Sequence, residues 1–450
     1  MVRLAVPVVV VQVGIVGMGV VDTIMVGHLS ARALAATALG TLYFFSVAIF
    51  GMGTLLALDP VVAQAVGARD DEAIARGVQR GLLLGVAISV LVSVLLLPAG
   101  LVLTAFRQPA EVIPEAAGFA RASIPGVLPF FVFVVFRQTL QALGRLAPIV
   151  VTIATANLAN VALNWVLIYG NLGSPQLGAV GSAYASSASR WVMAGLLMAL
   201  GWRELRPFVT RVRSEALLPR PFFRMLRLGV PIGIQHVIEF GAFAAVALLM
   251  GWLGTTTMAA HEVAINLASL TFMVPFGVAG AAAVLVGRAV GRGDEPGARR
   301  AAVAGLACGV GFMALSAVLF LLAPEWLARI YSRDAGVIAV AASLIPIAGV
   351  FQVFDGLQAV SSGILRGVGD TRVPMIVQVL GFWLIGMPVS LWLAFRMKAG
   401  PTGLWWGLVA GLAAVGTFLL LRVRFRLSRA LRRVVIDDRD EGRGARDEGP

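Results

Sequence analysis

The chain has 450 residues, 59% of them hydrophobic and 13% charged, with a mean hydropathy of +0.90 and a formal net charge of +13. This composition excludes a soluble globular protein, and apolar blocks of about 20 residues between charged or Gly/Pro-rich breaks point to a polytopic helical membrane protein. The basic excess lies in loops and tail, where it reads as topology determinants near anionic lipid and not as a nucleic-acid surface. With one cysteine (Cys308), one lysine (Lys398) and three histidines (His28, His236, His261), the chain offers no disulfide framework, no zinc or haem ligand set and no phosphate loop. No serine sits on a strand-to-helix elbow with acid and base partners, so an enzyme has nothing to stand on. The first apolar run continues past signal-peptide length, so no cleavable targeting segment is expected.

Twelve spans are predicted, at roughly 4–27, 34–58, 77–103, 118–140, 148–169, 178–201, 226–251, 258–286, 300–323, 337–361, 374–396 and 402–423. The longest break carries Arg203, Arg206, Arg211, Arg213, Arg220 and Arg224. The expected organisation is an N-terminal six-helix lobe (1–201), a hinge loop (202–225), a C-terminal six-helix lobe (226–424) and a charged tail (425–450). Loops after even-numbered spans hold most of the arginine, for example Arg69, Arg76 and Arg80, or Arg288, Arg292, Arg299 and Arg300. Positive charge favours the cytoplasmic side, which places hinge and both termini there. The tail begins arginine-rich, ends with mixed charge and reads as disordered and lipid-facing.

An internal repeat is visible at an offset of 224 residues: Leu4-Ala5-Val6-Pro7 returns as Leu228-Gly229-Val230-Pro231, and Ala65-Val66-Gly67 with Asp70 returns as Ala289-Val290-Gly291 with Asp294. Gly144 before Pro148 is echoed by Gly369 before Pro374 at a slightly different offset. Six spans per repeat make the halves parallel, an arrangement that points to a transporter with its substrate path between two lobes.

Ionisable side chains inside a span are costly and become candidates for function. Asp22 closes the first span about 27 Å from Leu4, towards the outer face, where an interfacial aspartate is the competing reading. In span five, Asn157, Asn160 and Asn164 share one helical stripe, and Asn164 comes out at nearly the depth of Asp22. Glu239 lies about 16 Å into span seven, near the bilayer centre, with Gln235 one turn earlier on its face. Span eight begins with His261, Glu262 and Asn266 near the outer edge. In span ten Asp355 is flanked by Gln352 and Gln358 at i−3 and i+3. Arginine is nearly absent from the spans, Arg137 and Arg190 being assigned to span ends.

From Val21 to Ser30, VDTIMVGHLS resembles the multidrug and toxic compound extrusion (MATE) family, in particular its NorM-like bacterial branch. Asp59-Pro60 through Gln64 to Gly67, LNWVLIYG (163–170), AAHEVAIN (259–266) and GILRGVGDTRVP (363–374) match as well. The resemblance runs from Leu4 to about Arg422. It implies an all-α membrane protein of twelve transmembrane helices in two parallel six-helix bundles, V-shaped, set in a bacterial cytoplasmic (inner) membrane and working as a monomer. It implies export of lipophilic organic cations in exchange for H⁺ or Na⁺, with no cofactor. Carried over by position, Glu239 and Asp355 match the second-lobe carboxylates of cation coupling and substrate charge, and would hold Na⁺ if that ion is used. Asp22 matches the first-lobe proton-coupling aspartate, with Asn160 and Asn164 on its asparagine positions.

Two departures favour protons. Phe351 stands where relatives place a tyrosine, removing a hydroxyl that could bind a metal ion, and Glu262 stands where a glutamine is usual. Phe240, Phe351 and Phe354 are candidate aromatic cavity walls, a flat cation being attracted to a ring face. The polar cavity candidates are Gln235, Asn157, Asn160, Asn164, Glu262, Asn266 and Gln352. The alternative is a lipid-linked saccharide flippase of the same broad superfamily, which would need a cationic groove for a pyrophosphate.

Overall fold

The structure, a computed structural model, describes residues 1–437. Its long helices in chain order are α1 Val2–Gly27, α2 Ala31–Gly67, α3 Asp71–Leu96, α4 Ile113–Ala142, α5 Ala147–Tyr169, α6 Gly178–Leu200, α7 Pro219–Trp252, α8 Thr255–Gly291, α9 Glu295–Leu322, α10 Ala335–Gly367, α11 Arg372–Arg396 and α12 Gly400–Leu427. Eleven are long and apolar enough to cross a membrane. The other, α6, carries Ser182, Ser186, Ser187, Ser189 and Arg190, which lower its hydropathy. Large apolar side chains such as Leu101, Leu158, Leu248 and Leu315 stand on the outside of the bundle, as a protein solvated by lipid requires.

Prolines move several predicted edges. Span three was expected to reach residue 103, but α3 stops at Leu96 and Pro98, which has no N–H to continue the ladder, precedes a separate short helix, Ala99–Ala105. Pro324 likewise opens the short helix Pro324–Tyr331 after α9. The predicted loop 202–225 contains the helix Trp202–Val209 and the first turns of α7. In α2 the helix breaks at Leu56–Ala57 before Leu58–Gly67 resumes.

Two compact units result. One consists of Met1–Val9 with Ile234–Val434, the other of Val10–Gly233 with the segment from Val435. In the first, α8 packs along α10, α10 also packs on α9 and α12, and α11 lies on α12. In the second, the counterparts α2–α4, α4–α3, α4–α6 and α5–α6 pair in the same way.

The repeat extends to the backbone. Asp70 caps α3 by accepting from Ala73 N at 3.0 Å, and Asp294 caps α9 by accepting from Gly297 N at 2.8 Å. Gly144 and Gly369 both take positive φ, 72° and 79°, in the turns before α5 and α11. Close crossings repeat too. A Cβ on Gly53 would lie 2.7 Å from Gly233 Cα, and one on Gly277 would lie 2.6 Å from a Val9 methyl. Small residues at these points let helices approach closely in lipid.

The tail was expected to be disordered. Through Asp437 it is bound instead; residues 438–450 lie outside the described residues. Leu431 N donates to Glu295 Oε1 at 3.0 Å. In the other unit, Asp437 Oδ2 accepts from Arg76 Nε at 2.7 Å, and Asp437 Oδ1 accepts from Arg80 Nη2 at 2.6 Å. The buried Arg80 also donates to Glu215 O at 2.7 Å, and Arg224 Nη1 donates to Ile436 O at 3.2 Å. An arginine pair matched to one carboxylate outweighs the tail's low hydrophobicity here.

Candidate functional site

Each unit holds buried acid. In the unit of α2–α6, α1 brings Asp22 inside with only 7% of its surface exposed. Its Oδ1 accepts from Asn164 Nδ2 at 2.6 Å and from Asn160 Nδ2 at 3.1 Å, while Ser186 Oγ donates to Oδ2. Asn164 Nδ2 also reaches Asn160 Oδ1 at 3.1 Å. Asn160 and Asn164 are one turn apart, so both amides point at the same neighbour. Such donors replace the water that a carboxylate loses on burial. Asn157, on the same stripe, is not part of the cluster: it donates to Gly14 O at 3.0 Å and Ile153 O at 2.9 Å, tying α5 to α1.

The sequence reading missed Ser186 and misjudged Arg190, which lies in the middle of α6, one turn beyond Ser186. Its guanidinium sits 4.3 Å from the centre of the Phe44 ring and 5.5 Å from that of Phe130, and it interacts electrostatically with Asp22. A second acid, Asp59, is buried just after the break in α2 and faces Arg137. Gln138, with its amide oriented to satisfy both groups, donates to Asp59 Oδ1 and Leu55 O at 3.2 Å each, while Arg137 Nη1 donates to Gln12 Oε1 at 2.8 Å. These bonds hold the broken helix end, which supplies a structural reason for the pair.

In the unit of α8–α12, Glu239 of α7 and Asp355 of α10 interact electrostatically, and the Gln358 amide acts on Glu239. Asp355 is buried and Glu239 half-buried. Among the described residues, the groups acting on this acid pair are each other and Gln358, none of them cationic. The α10 stripe around it is rich in unused polarity: Gln352 Nε2, Gln358 Oε1, Ser361 Oγ and Ser362 Oγ are buried without hydrogen-bond partners. Buried polar atoms are ordinarily paired, so this concentration makes the stretch a candidate for contact with a bound molecule. Gln352 Oε1 accepts from Thr271 Oγ1, which fixes that side chain.

Other candidates fall elsewhere. Gln235 is turned away from Glu239 and donates to Thr371 O at 3.0 Å, in the turn before α11. Glu262 and Asn266 are exposed on α8 and bond to one another, Asn266 Nδ2 lying 2.7 Å from Glu262 O and 3.5 Å from Oε2. Phe351 is a core ring, 1% exposed, edge-on to Phe243 at 5.9 Å and to Trp405 at 5.7 Å. His261 extends that chain of rings, 5.7 Å from Trp405. Phe240 and Phe354 are half-buried. Among the described residues no group of three or more His, Cys, Asp or Glu could hold a metal ion.

Two repeats of six helices, each with buried acid and small-residue crossings, define a helical membrane transporter built by duplication. The MatE family model matches residues 7–166 and 231–392, one stretch in each repeat. The chain belongs to the MATE family, whose members are transporters and not enzymes. It is 38% identical to the probable multidrug resistance protein NorM of Rhizobium meliloti (strain 1021), over 96% of this chain and 93% of that one. To the multidrug resistance protein NorM of Burkholderia vietnamiensis it is 36% identical, over 95% and 93%. In fold it is similar to the eukaryotic MATE transporter AtDTX14, with a TM-score of 0.87, 23% identity and coverage of 99% of this chain and 97% of that chain. An outward-facing multidrug resistance MATE transporter superposes with a TM-score of 0.84 at 20% identity, with 95% of each chain covered.

Proposed function

We propose that the chain is a NorM-type multidrug efflux transporter that exports lipophilic organic cations in exchange for protons. The observation that carries this is the Glu239–Asp355 pair: two buried or half-buried acids that interact electrostatically, with a neutral amide acting on one of them and, among the described residues, no cationic group acting on either. Two negative charges held together in a medium of low dielectric repel strongly. A cation from outside the protein relieves that repulsion, and it can be an organic cation or a proton. The partnerless polar atoms on the same stripe of α10 would supply further contacts to a bound molecule.

Exchange then needs no covalent step. An organic cation held by the pair loses its counter-charge when protons arrive from outside, and leaves outward. Substrate and proton compete for one charge, and the difference in affinity between two states of the site drives the cycle. The choice of protons over Na⁺ is supported by Phe351, whose ring is fixed in the core and offers no oxygen. The arginine-rich loops favour an orientation with both termini in the cytoplasm of a bacterium, and we take the working form to be a monomer.

Proteoliposomes loaded with ethidium test the reading. An imposed pH gradient should drive dye movement in wild type and fail in Glu239→Gln. Export driven by a Na⁺ gradient alone would refute proton coupling.

A further inference from the structure

The two units compensate buried acid differently. Among the described residues no cation acts on Glu239 or Asp355, whereas Arg190 acts on Asp22. The helix register explains the placement: Ser182, Ser186 and Arg190 follow at intervals of four along α6, on one stripe. Ser186 bonds Asp22, so Arg190 lies one turn further on the same side of α6. Its guanidinium lies against two rings, Phe44 of α2 and Phe130 of α4. A planar, weakly hydrated guanidinium suits such a seat better than an ammonium would. The seat leaves bonding capacity unused: Arg190 Nη1, Ser182 Oγ and Asn164 Oδ1 are buried without hydrogen-bond partners. The groups that face Asp22 are Asn160 and Asn164 from α5, and Ser186 and Arg190 from α6.

We propose that Arg190 is a built-in counter-cation that decides which ion the Asp22 site accepts, reserving it for protons and rejecting Na⁺ and cationic substrates. The proposal rests on the proton-coupled reading above. A metal ion binds through oxygen lone pairs; the groups that contact Asp22 turn hydrogens towards it, and the oxygens left over, Asn164 Oδ1 and Ser182 Oγ, would have to bind a cation against the Arg190 charge. A monovalent ion entering there would also meet the Arg190 charge in a poorly screened interior. A proton meets neither obstacle in the same degree. It adds to a carboxylate oxygen without needing a shell of ligands, and the neutral acid it leaves asks less of Arg190. The organic cation is thereby directed to Glu239 and Asp355, on which no cation acts among the described residues.

The test compares wild type, Arg190→Met and Arg190→Lys in proteoliposomes, with ethidium export driven by a pH gradient or by a Na⁺ gradient. Methionine keeps an apolar stem against the rings and removes the charge; lysine keeps the charge. A Na⁺ gradient alone should leave wild type and Arg190→Lys at background and raise export by Arg190→Met about tenfold. Wild type driven by Na⁺ alone would overturn the proton reading itself. A proton-driven wild type with an Arg190→Met variant equally indifferent to Na⁺ would overturn only the role of Arg190. Should Arg190→Met not be recovered folded, melting of wild type and Asp22→Asn in NaCl against choline chloride decides the point. Equal responses support the proposal, and stabilisation by Na⁺ that Asp22→Asn lacks contradicts it.

Discussion

Asn164 Nδ2 stands 2.6 Å from Asp22 Oδ1, a bond that joins helices α5 and α1 across 142 residues of chain. It is the shorter of the two amide bonds to that oxygen, the other being Asn160 at 3.1 Å. Replacing Asn164 by Ala removes a donor to a buried carboxylate, a change that costs about 1.5–3 kcal/mol. Asn164→Ala should therefore melt several degrees below wild type in detergent. The double variant with Asp22→Asn should recover part of the loss, because the charge that needed the donor is gone. Full additivity of the two losses would show that the bond carries no coupling.

The Glu239–Asp355 pair predicts an asymmetry between charge and shape. Glu239→Gln and Asp355→Asn keep volume and remove charge, so each should lower ethidium export at least about tenfold while leaving insertion unchanged. Glu239→Asp keeps charge at a shorter reach and should retain measurable export. Equal loss in Glu239→Asp and Glu239→Gln would point to geometry as the requirement. Export at wild-type rate in Glu239→Gln would remove that residue from the mechanism.

In the C-terminal segment, Asp437 gives a prediction with a definite sign in pH. Burial alone would raise its carboxyl, but hydrogen bonds and charge from Arg80 and Arg76 outweigh burial and hold it below the ordinary 3.8. A carboxyl lowered in the folded state stabilises docking at every pH above its ordinary value, and that contribution is lost as pH falls through the lowered one. Hydrogen exchange in 431–437 should thus show the same protection at pH 7 and pH 5.5 once corrected for intrinsic rates. Asp437→Asn should lose protection at both. Protection that already fades at pH 5.5 in wild type would contradict the arginine clamp.

The crossing of Gly53 on Gly233 predicts sensitivity to a single methyl. A Cβ at Gly53 would lie 2.7 Å from Gly233 Cα and 2.9 Å from Ile232 O, both backbone atoms that cannot swing aside. Gly53→Ala should lower thermal stability by about 1–3 kcal/mol, the usual cost of overpacking. The repeat-related Gly277 meets a Val9 methyl at 2.6 Å and the Val9 backbone only at 3.0 Å, farther than the nearest backbone atom at Gly53, so Gly277→Ala should cost less. The reverse order in melting temperatures would refute this account of the two crossings.

Much of the architecture was legible because lipid imposes a strong pattern: apolar runs of spanning length, arginine in alternate loops and a repeat at constant offset. Depth counting along the helices brought Asp22 and Asn164 to one level, and the structure joins them. Counting says less about azimuth. Gln235 shares a turn with Glu239 in sequence, but the side chain closes on Thr371 O because that carbonyl lies within its reach. Asn157 fell out for a similar reason, its amide being taken by backbone carbonyls of α1 and α5. Ser186 was missed because a serine in a helix of low hydropathy looks like ordinary helix-packing polarity, and Arg190 was assigned to a span end although it lies in the middle of α6. The docking of Asp437 could not be read from a mixed-charge tail, since its partners Arg76 and Arg80 lie over 350 residues away.

The central claim is that organic cation and proton compete for the Glu239–Asp355 pair. The most direct measurement is proton release from the purified, detergent-solubilised protein in weakly buffered solution when tetraphenylphosphonium is added. Wild type should release protons in proportion to the cation bound, and Glu239→Gln should release markedly fewer. Saturable binding of the cation with no proton release, or with release of Na⁺ in its place, would contradict the account.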